Sequence, residues 1–152
     1  CAGYWNRPEA TNDAIVDGWF HTGDQFEVDE AGNWRIIGRV KNLLVPESGH
    51  NVAPEPLEQA ILESDERIEQ AIVIGHGRPF LTAIVTGEVS DEALKKAVAQ
   101  VNDTLPHYRQ IRRHFLSDEV FTPENGLLTA NQKMRRRVIE SDFSSQIEGM
   151  YR

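Results

Sequence analysis

Gln70-Ala71-Ile72-Val73-Ile74-Gly75-His76-Gly77-Arg78-Pro79-Phe80-Leu81-Thr82-Ala83-Ile84-Val85-Thr86-Gly87 contains two β-branched runs, Gln70–Gly75 and Phe80–Gly87, around a His-Gly-Arg-Pro turn. Branched side chains favour the pleated conformation, and Gly next to Arg-Pro breaks it, so the stretch predicts two strands joined by a turn. Helical patterns lie on both sides. Upstream, Pro54–Ser64 places Leu57, Ile61 and Leu62 on one face, with Pro54 near its start. Downstream, Ser90 is an N-cap candidate for a helix running to about Leu105, with Leu94, Ala97, Val98, Val101 and Leu105 at helical spacing and Pro106 beyond. Arg113–Leu116 is a weaker strand candidate. A strand pair among helices predicts an α+β domain over residues 40–152.

The rest of that region is read more coarsely. Lys41–Val45 is a short apolar run, taken as a strand, and Pro46–Asn51 is a Gly-containing loop. Val120–Leu128 carries the turn signal Thr122-Pro123-Glu124-Asn125-Gly126. A last helix is expected from about Asn131, with Val138 and Phe143 inward.

Residues 1–39 differ in texture. Asn6-Arg7-Pro8, Thr11-Asn12-Asp13, Asp17-Gly18, Thr22-Gly23-Asp24 and Ala31-Gly32-Asn33 are all turn formers. Strand candidates at Gln25–Asp29 and Asn33–Gly38 flank the hairpin turn Asp29–Asn33. The segment is not expected to make an independent core; it is expected to pack on something else and to present an apolar patch when alone.

The bulk properties narrow the classes. The 152 residues suit one ordinary domain, with 39% hydrophobic and 26% charged residues. A formal net charge of -8 argues against nucleic-acid or membrane-surface binding. Cys1 is the single cysteine, so no internal disulfide can form, which fits a reducing compartment and a cytoplasmic location. No apolar run is long enough to span a bilayer, and no signal-peptide pattern opens the chain. The missing initiator Met suggests a piece excised from something longer. His21, His50, His76, His107 and His114 show no metal-ligand spacing, so no metal site is expected.

Three phrases follow one another in order. The first is Gly3-Tyr4-Trp5-Asn6-Arg7-Pro8-Glu9-Ala10-Thr11 with Asp17-Gly18-Trp19-Phe20-His21-Thr22-Gly23-Asp24. The second is Gly38-Arg39-Val40-Lys41-Asn42, leading to Ser48-Gly49-His50-Asn51-Val52-Ala53-Pro54-Glu55 and Leu57-Glu58. The third is Thr122-Pro123-Glu124-Asn125-Gly126-Leu127-Leu128-Thr129, ending at Lys133-Met134-Arg135-Arg136. Together, over nearly the whole chain, they resemble the C-terminal third of the adenylate-forming superfamily, which includes acyl- and aryl-CoA synthetases, firefly luciferase and peptide-synthetase adenylation domains. The third phrase looks most like the long-chain fatty-acid branch.

The resemblance implies that residues 1–39 are the tail of a large N-terminal domain and residues 40–152 a small mobile lid. It places Asp24 on the ribose hydroxyls of ATP, which a carboxylate can accept in pairs. Arg39 matches the arginine beside the nucleotide, where a planar guanidinium suits ribose and phosphate oxygens. Lys41 falls at the hinge, and Gly49, with Ser48 and His50, in the loop that admits pantetheine. Lys133 matches the lysine that reaches the acyl carboxylate and the α-phosphate; a cation between two anions offsets their repulsion. Arg135, Arg136 and Arg137 are candidates for the CoA phosphates. The residues alone leave blander readings open: a turn Asp at 24, a surface Arg at 39, an exposed Lys at 41, and a solvated basic run from Lys133 to Arg137. Two departures from the resemblance are visible. Pro46-Glu47-Ser48 replaces small, Gly-rich residues, and Val45 stands where luciferase-like members carry a second lysine.

The implied activity is acyl-adenylate formation from a carboxylic acid and ATP, followed by thioester transfer to CoA, with Mg2+ arriving with ATP. The piece alone is expected to be inactive, because the phosphate loop and acyl pocket belong to the N-terminal domain. Rivals are an aryl-CoA ligase, a carrier-protein-loading domain, and a free-standing binding module without catalysis. A nucleic-acid role through Arg135–Arg137 runs against the acidic balance.

Overall fold

The computed structural model describes residues 2–152, and Cys1 lies outside them. The chain forms two compact units, Cys1–Lys41 and Asn42–Arg152.

The first unit begins with helix α1, Pro8–Ala14, which starts on a proline and carries Glu9 in its first turn. Thr11 Oγ1 donates to the Arg7 carbonyl at 2.9 Å and accepts from the Tyr4 amide at 2.9 Å, fixing the approach to the helix. Strands β1 (Ile15–Val16) and β2 (Trp19–Phe20) pair across Asp17-Gly18. Both turn residues have positive φ, 51° and 81°, as a tight hairpin turn requires. Strands β3 (Asp24–Val28) and β4 (Trp34–Arg39) form a second antiparallel hairpin. Its turn is closed by the Asp29 carboxylate, which accepts from the Asn33 amide at 2.8 Å. The expectation of two strands among turns alone is corrected here, since α1 and the β1–β2 pair are also present. Pro-Glu-Ala-Thr-Asn-Asp-Ala has no apolar period to announce a helix. No described residue before Leu44 is buried.

In the second unit, α2 (Pro54–Ser64) is followed by β5 (Ile68–Ile74), β6 (Leu81–Gly87), α3 (Asp91–Asp103) and β7 (Ile111–Ser117). Two short helices close the chain, α4 (Arg136–Asp142) and α5 (Ser144–Met150). The strands form one sheet in the order β5-β6-β7. β5 and β6 are the expected hairpin, and α3 carries the chain across so that β7 runs parallel to β6. Ser90 caps α3 by accepting from the Ala93 amide at 3.3 Å. At the far end Asn102 exchanges two hydrogen bonds of 2.8 Å with the backbone of Ile111, setting where β7 begins.

Alternation along the central strands divides the core between the two faces of the sheet. Ala71, Val73, Ala83 and Val85 join Leu57, Ile61, Leu94 and Val98 from α2 and α3. Ile72, Ile74 and Ile84 join Phe121, Ile139, Phe143 and Ile147 on the other face. The architecture is α+β, with a three-stranded sheet between two helical layers.

Two sequence expectations are corrected. Lys41–Val45 is no strand: residues Val40–Asn42 make a 3₁₀ turn, and Leu44 pairs only with Val52 as an isolated bridge. The apolar run is too short for a ladder, and Pro46 removes the next donor. The last helix starts at Arg136, not Asn131. Gln132 has φ 59°, which interrupts a right-handed helix, and Leu128 bridges to Met134 instead. Phe143 then separates α4 from α5 and is buried as expected, while Val138 is only partly buried and Ile139 is the residue turned fully inward.

Candidate functional site

Three groups of candidate residues are placed by the fold, one in the first unit and two in the second. In the first unit, Asp24 opens β3 and Arg39 ends β4, so pairing in register sets them opposite one another. Arg39 Nε lies 2.8 Å from Asp24 Oδ1. Arg39 Nη1 also donates to the Thr22 carbonyl at 3.0 Å, and the Asp24 amide donates to Thr22 Oγ1 at 3.1 Å. Gly23, at φ 71°, makes the turn into β3, and its carbonyl accepts from the Val40 amide at 2.9 Å. A carboxylate and a guanidinium are therefore held side by side, a polar pair suited to hydroxyl and phosphate oxygens. Lys41 follows directly, exposed in the 3₁₀ turn where the chain divides.

The second group is the loop around Gly49. Leu44 and Val52 close its base with two backbone hydrogen bonds of 2.9 Å. The loop is tied to the turn between β5 and β6. The Val45 amide donates to His76 Nδ1 at 3.3 Å, Gly77 donates to the Val45 carbonyl at 2.9 Å, and Glu47 donates to the Arg78 carbonyl at 2.9 Å. Gly49 takes φ 78° and donates to the Pro46 carbonyl at 2.9 Å. A Cβ there would meet nothing within 4 Å, so the backbone conformation rather than crowding calls for glycine. His50 Nδ1 stands 3.3 Å from Ser48 Oγ, and its ring stacks on Tyr108 at 4.2 Å and 17°. The sequence singles out Ser48, Gly49 and His50 as candidates; Tyr108 and His76 join them only in the fold. Tyr108 lies far along the chain, in the 3₁₀ turn His107–Arg109, and no spacing rule connects it to the loop.

The third group surrounds Lys133. Residues 127–135 form a tight reversal, with the Arg135 amide on the Leu127 carbonyl at 2.9 Å and the Thr129 amide on the Lys133 carbonyl at 2.8 Å. Thr129 Oγ1 accepts from the Lys133 amide at 3.1 Å. Leu127 and Leu128 are buried, so the base of the reversal is fixed in the core while Lys133 stands exposed. Among the described residues the Lys133 ammonium is in no ion pair.

The three arginines that follow diverge. Arg135 is exposed and donates from Nη1 to the Gly126 carbonyl at 2.8 Å. Arg137 is exposed, and both line an open depression of about 340 Å³ with Asn42, Met134, Arg136 and Val138. Arg136 turns inward. Its Nη2 donates to both oxygens of Glu58, at 2.6 and 2.5 Å, and Nη1 donates to the Val73 carbonyl at 3.3 Å. The two side chains are 16% and 11% exposed. Burial pushes the Glu58 carboxyl up from its ordinary value, and the Arg136 guanidinium opposes this. Glu58 accepts hydrogen bonds at both oxygens from a cation, the arrangement of a carboxylate.

Among the described residues, no three histidine, cysteine, aspartate or glutamate side chains gather as a metal site, and no helix is long and apolar enough to cross a membrane.

Comparison with known proteins bears on the family and the fold. A long-chain-fatty-acid–CoA ligase of Mycobacterium tuberculosis, FadD15, is 35% identical over 176 aligned residues, covering 99% of this chain and 29% of the ligase. A chloroplastic long-chain-fatty-acid–[acyl-carrier-protein] ligase of Arabidopsis thaliana is 32% identical, covering 98% of this chain and 24% of that protein. The chain thus spans under a third of the length of these relatives. In three dimensions it is similar to the adenylation domain of a carboxylate reductase from Mycobacterium chelonae, with TM-score 0.83, 30% identity, and coverage of 98% of this chain and 26% of that one. The corresponding domain from Segniliparus rugosus, solved with AMP and a co-purified carboxylic acid, gives TM-score 0.81, 27% identity, and coverage of 98% and 26%. Residues 41–152 match the model of the AMP-binding enzyme C-terminal domain, and the chain belongs to that family.

Proposed function

We propose that the chain is the C-terminal portion of an ATP-dependent long-chain fatty-acyl-CoA ligase, with residues 1–39 the tail of its large N-terminal domain and residues 40–152 its mobile lid. The observation that carries this reading is the Lys133 reversal: an exposed ammonium outside any described ion pair, on a turn whose base is buried. In the first half-reaction a carboxylate oxygen attacks the α-phosphorus of ATP, and pyrophosphate leaves. Lys133 lies between the two anions and stabilises the charge that develops on the phosphoryl oxygens. Asp24 and Arg39 hold the ribose, and Lys41 is the hinge. In the second half-reaction the CoA thiol attacks the acyl carbonyl, and AMP leaves. The loop of Ser48, Gly49 and His50 lets pantetheine pass close to backbone. Arg135 and Arg137 meet the CoA phosphates. Mg2+ enters with ATP as part of the substrate, held by phosphates and groups outside this chain. The compartment is the cytoplasm, where ATP and CoA are available.

The chain alone is inactive in this reading, since the acyl pocket and phosphate loop are contributed by the N-terminal domain. A carrier protein is the second acceptor to consider, because one relative is named for an acyl-carrier-protein and carboxylate reductase domains are structural neighbours. The test separates the half-reactions in the intact ligase. Lys133→Ala is expected to slow adenylation on the order of 10²–10³-fold while leaving thioester formation from supplied acyl-adenylate nearly intact. Equal losses in both would remove the role given to Lys133. Supplying CoA or a pantetheinylated carrier protein in the second step identifies the acceptor.

A further inference from the structure

Arg136 stands three residues beyond Lys133 and opens α4, while Glu58 projects from α2. Between them lies the open edge of β5. At Val73 the amide donates to Glu58 Oε1 at 2.8 Å, and the carbonyl accepts from Arg136 Nη1 at 3.3 Å. The ion pair thus satisfies both edge-facing backbone groups of a fully buried strand residue. It also ties α2, β5 and the start of α4 to one point. Arg136 Nη2 bridges both carboxylate oxygens while Nη1 reaches the Val73 carbonyl, so the planar guanidinium is fixed in orientation as well as distance, which a single point charge would not do.

Lys133 depends on that point. Its own side chain makes no described ion pair, so its position is set by what holds the reversal. One arm is anchored by Leu127 and Leu128 in the core. The other passes through Met134 and Arg135 directly into Arg136. Resting on the role proposed above for Lys133, we propose that Glu58 and Arg136 are positioning residues for adenylation: their buried pair fixes where the Lys133 ammonium is presented, and neither touches substrate. This separates the adjoining basic residues by task, with Lys133 reaching the reacting groups and Arg136 holding the frame.

Displacement of a catalytic group by about 1 Å can cost on the order of 10²-fold in rate. In the intact ligase, Glu58→Gln and Arg136→Lys are each expected to lower kcat for adenylation by about that factor, with KM for ATP and acid changed by less than about threefold. Thioester formation from supplied acyl-adenylate is expected to be unchanged. A buried charge left without its partner can unfold the domain, so a second variant is needed. Glu58→Leu with Arg136→Met removes both charges together and keeps apolar volume. If this double variant folds and still adenylates at the normal rate, the proposal is overturned; selective loss of adenylation supports it. Amide exchange in the 152-residue chain gives a readout independent of activity. In the double variant, faster exchange at Thr129, Lys133 and Arg135, with α3 unchanged, supports the anchoring. Unchanged exchange there overturns it. Lys133→Ala run in parallel distinguishes the two failures, because an active Lys133→Ala enzyme removes the role of Lys133 while the exchange result still decides the anchor.

Discussion

Gly49 holds φ at 78° with open space where a Cβ would go. Its substitution therefore isolates backbone conformation from packing. Gly49→Ala is expected to cost about 1–2 kcal/mol of local stability, the penalty for a left-handed L-residue. The loop will then relax away from its hydrogen bond to Pro46. On the proposed function, the expected result in the full-length protein is slower thioester formation with adenylation little changed, measured on the separated half-reactions. The same scale shows where sequence reading reached its limit. The Lys133–Arg137 run reports charge but not direction, and only the fold reveals that Arg136 faces Glu58 while Arg135 and Arg137 face outward. Glu58 stood in a quoted phrase without a role, because its partner is 78 residues away. Asp24 and Arg39 were each legible as nucleotide candidates, but their meeting needed the β3–β4 register.

At the level of elements, α3 shows how a local signal becomes testable. Ser90→Ala removes the acceptor for the Ala93 amide and is expected to cost about 1 kcal/mol, a few degrees in thermal midpoint. Helix α3 and the β5–β6 hairpin were legible because apolar periodicity and turn residues agree along them. The reversal at 127–135 was not, since its closure rests on a threonine hydroxyl and a left-handed Gln132 rather than on any period. On β7, burial holds the His114 imidazole below its ordinary value of 6.5; Asp91 works against this shift and Lys95 adds to it. A depressed histidine contributes stability above its unfolded pKa, and that contribution is lost as pH falls through the lower folded value. The thermal midpoint is therefore expected to fall as pH drops below 6.5, and His114→Gln to flatten that part of the profile.

Across the whole molecule, hydrophobic burial is distributed unevenly. Every buried residue among those described lies at or beyond Leu44, in the two clusters around the three-stranded sheet or beside them. The first unit instead exposes Trp5, Trp19 and Trp34 at 96%, 78% and 72%, with Phe20 and Ile36 also open. Its hairpins are closed by turns and edge hydrogen bonds, and two-stranded hairpins without a buried face are marginal in water. The sequence made this asymmetry legible through the density of turn formers before position 40, not through any lack of apolar residues, and it did not disclose α1. Residues 42–152 are consequently expected to unfold cooperatively on their own, with a thermal midpoint within a few degrees of the full chain. The full chain is expected to bind a hydrophobic dye and to self-associate at high concentration, and removal of residues 1–41 to abolish most of both. If the truncated chain instead lost cooperativity, the first unit would have to support the core energetically. A dye signal that persisted without residues 1–41 would place the sticky surface on the α+β unit itself.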